Sequence, residues 1–230
     1  MIKILSWNIR QGGGTRINKI VKAVESTDSA ILIFSEFRNN ASGIQLRTAL
    51  LKHNYRHQIV TAAPANNNAV LIASRYPCNG FVFPKADADF PHNVVMAEFD
   101  AFYVIGVYLP HKKKHKLFDF LIEKVKDFEK PCIIAGDYNT GKNYIDQKGD
   151  SFWYTEDLEI LEKVGMTDAF RHLHGDMSEY SWYSHQGNGF RYDHTYVEEG
   201  LLPLVQSCYY LHQYREENIS DHSPMVLEIG

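Results

Sequence analysis

Four carboxylates of this chain sit beside short apolar runs. They are Glu36 in Ile33-Phe34-Ser35-Glu36, Asp137 in Ile134-Ala135-Gly136-Asp137, Asp193 in Arg191-Tyr192-Asp193-His194, and Asp221 in Ser220-Asp221-His222-Ser223-Pro224. Asn8 follows Leu5-Ser6-Trp7, Asn139 lies two residues beyond Asp137, and Tyr108 precedes Leu109-Pro110. Polar groups at the ends of strands are where layered α/β proteins commonly build their sites. Clustered hard oxygen donors suit Mg2+, which takes one or two carboxylates and keeps waters for a phosphate substrate. An imidazole beside a carboxylate, as in Asp221-His222, suits proton transfer or orientation of a water near neutral pH. Extended backbone puts positions two apart on one side, so Asp137 and Asn139 are expected to face one ligand together. Singly, each feature has an ordinary explanation, such as a turn Asp after Gly or an Asx-turn. Their number carries the inference.

These groups need elements to hold them. Apolar runs rich in Val, Ile, Tyr and Phe recur at 2–7, 30–34, 69–73, 94–99, 102–109, 132–135, 204–211 and 224–229, and predict strands. Helical spacing groups Ile17, Ile20, Val21 and Val24; then Ile44, Leu46, Leu50 and Leu51; then Leu117, Phe120, Leu121 and Val125, ending near Phe128. Gly and Pro are scattered as turns, with no linker or low-complexity tract, so residues 1–230 are expected to form one domain. Interspersed strands and helices predict a layered α/β or α+β domain with a mixed sheet.

The 230 residues are 44% apolar and 13% aromatic, enough for a sizeable core and against wholesale disorder. No apolar run reaches the ~18 residues of a membrane span, and the N-terminus lacks a signal-peptide pattern. Cys78, Cys132 and Cys208 are far apart without a CxxC spacing, which argues for a reducing, cytoplasmic setting over a disulfide scaffold or a Cys-type zinc site. The net charge of -4 disfavours a general nucleic-acid binder. That charge is unevenly placed, however. Residues 1–22 carry Lys3, Arg10, Arg16, Lys19 and Lys22 with no acid, and 111–116 carry Lys112, Lys113, Lys114 and Lys116. Residues 193–230 are strongly acidic. A local basic rim is therefore compatible with a negative total.

Other motifs fail on inspection. Gly136 to Asn143 fits GxxxxGK, but Asn143 lacks the hydroxyl a P-loop needs, Asp137 stands where amides should face phosphate, and 143–150 shows no clean amphipathic helix. Gly12-Gly13-Gly14 is not GxGxxG. The pairs His111/His115 and His172/His174 have no identifiable third zinc ligand, and there is no nucleophile elbow.

The ordered set Asn8 in SWN, Glu36 in SEF, Tyr108 in Tyr-Leu-Pro, Asp137/Asn139 in GDYN, Asp193 in Arg-Tyr-Asp and Asp221/His222 in SDHSP resembles the endonuclease/exonuclease/phosphatase superfamily, over nearly the whole chain. The resemblance implies a four-layered sandwich of two packed mixed β-sheets flanked by helices. It implies a Mg2+-dependent phosphodiester hydrolase, with Mn2+ as the alternative ion, of the exonuclease III-like DNA endonuclease/exonuclease type. A phosphatase or phosphodiesterase for a small-molecule, inositol or lipid phosphate is the alternative, and a binding protein on an inactive scaffold a third reading. By resemblance, Glu36 is the principal metal ligand, Asn8 contacts metal or phosphate, and Asp221 is a second-site ligand. Asp137 activates or positions the attacking water, and Asn139 and Tyr108 hold the phosphate. His222 acts at the scissile phosphate, oriented by Asp193. Arg10, Lys112, Lys113, Trp182, Phe190 and Arg191 are expected to bind substrate, with DNA as the partner and neither membrane insertion nor an obligate protein partner. Two departures stand out: His111 where exonuclease III-like enzymes have Asn, and Arg10 where many relatives carry an acidic or small residue.

Overall fold

A computed structural model describes residues 1–148 and 151–230. The chain runs β1 (Ile2–Asn8), α1 (Ile17–Thr27), β2 (Ile31–Phe37), α2 (Ala41–Lys52), β3 (His57–Val60), β4 (Ala69–Ser74), β5 (Asn79–Val82), β6 (Val94–Glu98) and β7 (Tyr103–Tyr108). It continues with α3 (His115–Asp127), β8 (Cys132–Asp137), α4 (Thr155–Lys163), β9 (Met166–Asp168), α5 (Ala169–His174), β10 (Trp182–Tyr183), β11 (Gly189–Phe190) and β12 (Asp193–Glu198). The last elements are β13 (Val205–Tyr210), α6 (Gln213–Glu216) and β14 (Met225–Ile229).

Two six-stranded mixed sheets result. One has the order β13-β14-β1-β2-β4-β3, the other β5-β6-β7-β8-β12-β9, and β10-β11 is a separate two-stranded ribbon. Alternation along the strands sets the layers. Ile4, Ile31, Ile33, Val70 and Ile72 of the first sheet meet Val95, Val104, Ile133 and Val197 of the second in a shared core. The other face of the first sheet, with Leu5, Trp7, Leu32 and Phe34, packs under Ile17, Ile20 and Val24 of α1 and Leu46 and Leu50 of α2. The outer face of the second, with Ile105, Val107 and Ile134, packs under Leu117, Phe118 and Leu121 of α3 and Leu158 and Leu161 of α4. The architecture is therefore helix, sheet, sheet, helix, as expected. Gly106 marks the close approach of the sheets, since a Cβ there would meet Val70 at 2.8 Å and Ile33 at 2.9 Å.

All eight expected strands and three helices are present. The expected face of α2 needs correction: Leu46 and Leu50 are buried, but Ile44 and Leu51 point outward. The strands β3, β5 and β9 to β12 and the helices α4, α5 and α6 have no counterpart among the expected elements. Most are short, β3 is only partly buried and β5 is exposed, so their apolar pattern is weak, while β12 is buried but opens on the polar residues Asp193-His194-Thr195 and so shows no apolar run. Within the stretch 143–150, residues 149 and 150 lie outside the described residues. No helix of the described residues is long and apolar enough to cross a membrane.

Candidate active site

Strand register builds a row of functional groups. On the second sheet β7 and β8 are parallel with Tyr108 paired to Asp137, and β12 is antiparallel to β8 with Asp193 paired to Asp137. Tyr108, Asp137 and Asp193 thus form one line across three strands, with Asp137 in the middle. On the first sheet, β1 ends at Asn8 beside Ser35 of β2. Ser35 stitches the sheets, its hydroxyl donating to the Val107 carbonyl at 2.9 Å and accepting from the Asp137 backbone N–H at 3.3 Å. Asn8 completes the join. Its Nδ2 donates to Asp137 Oδ2 at 2.8 Å and to Glu36 Oε1 at 3.2 Å.

Glu36 reaches this point through a distortion. The pairing of β2 with β4 shifts between Phe34 and Phe37, and Glu36 has φ 54°. Such bulges re-aim a side chain, and a non-glycine residue held in this region usually marks a functional site. The turn after β1 secures the carboxylate, because the Gln11 N–H donates to Glu36 Oε2 at 2.8 Å.

Asn139 also has positive φ, 48°, so it reaches Asp137 by a turn and not by the extended backbone expected from its spacing. Its N–H donates to Asp137 Oδ1 at 2.9 Å, and its Nδ2 donates to Asp137 Oδ2 at 3.1 Å and to the Leu109 carbonyl at 2.9 Å. The turn is held from below by Lys114, a fully buried side chain whose Nζ donates to the carbonyls of Tyr138 and Asn139 at 2.7 Å each. Burial pushes the Lys114 pKa down to about 7, against the opposing pull of Asp137. Lys114 therefore does not belong to the solvent-facing basic run read from the sequence.

His222 lies just before β14. Its Nδ1 bonds Asp193 Oδ2 at 2.7 Å, and ligand atoms of Asp137, Asp193 and His222 all lie within 4.8 Å of one another. Burial raises the Asp137 pKa, with His222 pulling the other way. Burial disfavours imidazolium, but the Asp193 and Asp137 carboxylates outweigh it and raise the His222 pKa above its ordinary value. Two buried carboxylates in direct register need a neighbouring positive charge, and imidazolium supplies one. Asp193 Oδ1 is buried with no hydrogen-bond partner among the described residues, leaving an acceptor oxygen there for a cation or a donor. With the Glu36 and Asp137 carboxylates converging on the Asn8 amide NH2, the acidic donors are hard oxygen, as Mg2+ prefers, while Asn8 Oδ1 is taken by the Arg10 N–H.

The rim is uneven. Arg10 is exposed, with its Nε 3.7 Å from Asp221 Oδ2, while its N–H donates to Asn8 Oδ1 at 2.9 Å. Lys112 and Lys113 are exposed, and Lys112 Nζ lies 5.1 Å from the centre of the Trp153 ring. Trp182 and Phe190 belong to none of the hydrophobic core clusters. They stand 5.6 Å apart in an aromatic group with Tyr192, and the Trp182 ring is 6.5 Å from His222. His111 meets Tyr192 edge-on at the mouth of a pocket of about 290 Å3 shared with Asn139, Phe152 and Trp153.

Arg191 must be corrected. Its side chain is fully buried, bonding Asp146 through Nε at 2.7 Å and Asp168 through Nη2 at 2.6 Å. His194 and Arg171 join the same network. A guanidinium so placed is unavailable to substrate. Sequence reading missed Ser35, Lys114, Phe152 and Tyr192. A serine inside the apolar run Ile33-Phe34-Ser35 was the available signal for the first. Nothing in Lys112-Lys113-Lys114 separates the buried lysine from its neighbours.

Residues 5–222 match the sequence model of the Endonuclease/Exonuclease/phosphatase family. An exodeoxyribonuclease of Streptococcus pneumoniae (strain ATCC BAA-334 / TIGR4) is 29% identical over 180 residues, 64% of this chain and 64% of that enzyme. The chain thus spans under two thirds of the length of that relative. A DNA-(apurinic or apyrimidinic site) endonuclease of Dictyostelium discoideum is 24% identical, covering 97% of this chain and 69% of its own. Among solved structures, a 3′ phosphatase from Neisseria bound to product DNA hairpin superposes with TM-score 0.87 at 21% identity, covering both chains fully. An AP endonuclease from Archaeoglobus fulgidus also gives 0.87, at 19% identity, over 100% of this chain and 99% of its own. At these identities the structural likeness establishes the fold.

Proposed function

Because the chain belongs to the endonuclease/exonuclease/phosphatase family, we propose that it is a divalent-metal-dependent phosphodiester hydrolase acting on DNA, with residues 1–230 as one catalytic domain. One observation carries the reading: Asn8, Glu36, Asp137, Asp193 and His222, from both sheets, converge at a single edge of the sandwich. The curated relatives, with DNA-directed names, support the substrate class.

Glu36 would hold Mg2+, with Asn8 orienting its carboxylate through Nδ2 in place of the ligand role the resemblance implies, and with Asp221 at the rim as a second candidate. When bound, the ion neutralises phosphate charge and stabilises the leaving oxygen. Asp137, fixed by Asn8 and Asn139, orients the attacking water and takes its proton. Asn139 and Tyr108 flank the phosphate. His222 presents Nε2, since Nδ1 is committed to Asp193, and its positive charge favours the anionic transition state. Asp193 fixes the tautomer and ring orientation. Catalysis is then largely positioning and electrostatics. Trp182, Phe190 and Tyr192 offer aromatic faces to a sugar or base, while Lys112, Lys113 and Arg10 track the backbone. The withdrawal of Lys114 from the basic run weakens a polyphosphate clamp, and with it the small-phosphate reading.

The test is hydrolysis of labelled duplex, nicked, abasic-site and single-stranded DNA with Mg2+ and with EDTA. Metal-dependent cleavage of at least one is expected. Cleavage of none, with phosphate released from small phosphoesters instead, would overturn the assignment of substrate.

A further inference from the structure

Tyr108 and Asp193 lie on opposite sides of Asp137 in the row, and the aromatic group lies on the Asp193 side. The Tyr108 side opens into a separate cleft of about 360 Å3. That volume is at the small end of organic-ligand sites. Its walls come from four segments: Arg38 after β2, the Asn66-Asn67-Asn68 loop before β4, residues 89–93 before β6, and Tyr108 and Pro110 at the end of β7.

The cleft is coupled to the catalytic row. Tyr108 forms part of its wall and stands in register beside Asp137. Asn93 Nδ2 donates to the Tyr108 carbonyl at 2.5 Å, and Arg38 Nε donates to Asn68 Oδ1 at 2.8 Å. Anything seated here therefore lies next to a phosphate held at Tyr108.

The lining chemistry is that of a neutral polar ligand. Arg38 and Asp89 offset one another, and the other polar groups are amides and an imidazole. His92 lines the cleft, and its Nδ1 is buried without a hydrogen-bond partner among the described residues, so the fold itself does not compensate that nitrogen. Amides and Arg can hydrogen-bond the edges of bases. Phe90, Pro91 and Pro110 add apolar surface for a ring face. A site built for a bare phosphate would instead show uncompensated positive charge.

We propose that this cleft is a nucleoside subsite that receives the base and sugar of the nucleotide joined to the scissile phosphate on the Tyr108 side, recognised by hydrogen bonds and not by charge. It rests on the nuclease reading and sharpens it. The enzyme would require an intact base at one defined position beside the cut.

The experiment replaces one base at a time by an abasic spacer in an otherwise constant DNA substrate. Wild-type enzyme loses roughly 10-fold or more in kcat/KM at one position, the discrimination of a good base contact. Asn67→Ala and His92→Ala erase that difference and cleave the spacer substrate within about two-fold of wild type. Their salt dependence of KM stays unchanged, whereas Lys112→Ala, at the backbone, reduces the slope by about one. Retained discrimination in both variants, or a reduced salt slope in Asn67→Ala, would overturn the subsite. A second readout does not need turnover: deoxynucleosides at millimolar concentration shift the NMR signals of Asn66 to Asn68 and His92 in the wild-type chain. Perturbation without DNA cleavage would leave the cleft standing and the nuclease reading fallen. Cleavage without perturbation and without base discrimination would do the reverse.

Discussion

The side-chain amide of Asn8, at the end of one sheet, donates to the Asp137 carboxylate at the end of the other at 2.8 Å. These residues are 129 positions apart. The bond closes the seam between the two sheets at the point where Glu36 and Asp137 converge, so one amide sets the spacing of two carboxylates.

Replacing Asn8 by Ala therefore disturbs both carboxylates together. We expect kcat to fall about 10- to 100-fold, as for loss of a group that orients a metal ligand. Steady-state kinetics on a cleavable DNA measures it, and a change confined to KM would show that Asn8 only contacts substrate.

Asp137→Asn and His222→Ala each remove a positioned proton-transfer or charge-stabilising group. Each is expected to lower kcat by at least ~10²-fold, with the circular-dichroism spectrum unchanged. Activity within a few-fold of wild type in either would refute the role given to that residue.

Lys114→Met tests the support beneath the Asp137–Asn139 turn. Lys114 bonds the carbonyls of Tyr138 and Asn139 and is fully buried, so its loss should displace the turn. A drop in kcat of about 10- to 100-fold with KM within about three-fold is expected. Equal loss in KM alone would point to a substrate contact instead.

Glu36→Gln tests the metal assignment. EDTA should abolish turnover in the wild type. The variant should need about 10- to 100-fold more Mg2+ for half-maximal activity. An unchanged Mg2+ titration would place the ion elsewhere.

The buried network predicts stability instead of activity. Arg191→Met strands Asp146 and Asp168, and should cost about 3–5 kcal/mol in urea unfolding. Burial alone would raise the Asp168 pKa, but Arg191 and His194 outweigh it and hold it well below the usual range. A carboxyl depressed in the fold contributes stability above its unfolded value of about 3.9, and that contribution is lost as pH falls below it. Wild-type stability should therefore drop steeply below about pH 4. Asp168→Asn should flatten that limb while being less stable at neutral pH. A parallel acid limb in the variant would show that other carboxyls dominate.

The strands and the groups at their ends were legible because both obey local rules. Apolar runs such as Ile31–Phe34 and Ile133–Ala135 identify buried strands, and a polar residue closing such a run marks where the core ends even when, like Asn8 and Asp137, it stays buried. Helical spacing likewise located α1 and α3. The exposed Ile44 and Leu51 show where apolar type alone misleads: at 3.6 residues per turn they lie off the face that Leu46 and Leu50 share.

By itself the sequence determined which carboxylates, amides and histidine stand at strand ends, and in what order. The tertiary structure alone decided which of them meet. Register places Asp193 opposite Asp137, a bulge turns Glu36 inward, and Ser35 and Asn8 join the sheets. It also decided what the charges do. Lys114 reads as part of a basic run in the sequence and Arg191 as a substrate contact, yet both are buried and committed to carbonyls or carboxylates. The physical reason is that burial and pairing depend on contacts between distant segments, whereas strand-forming pattern is written within a few consecutive residues.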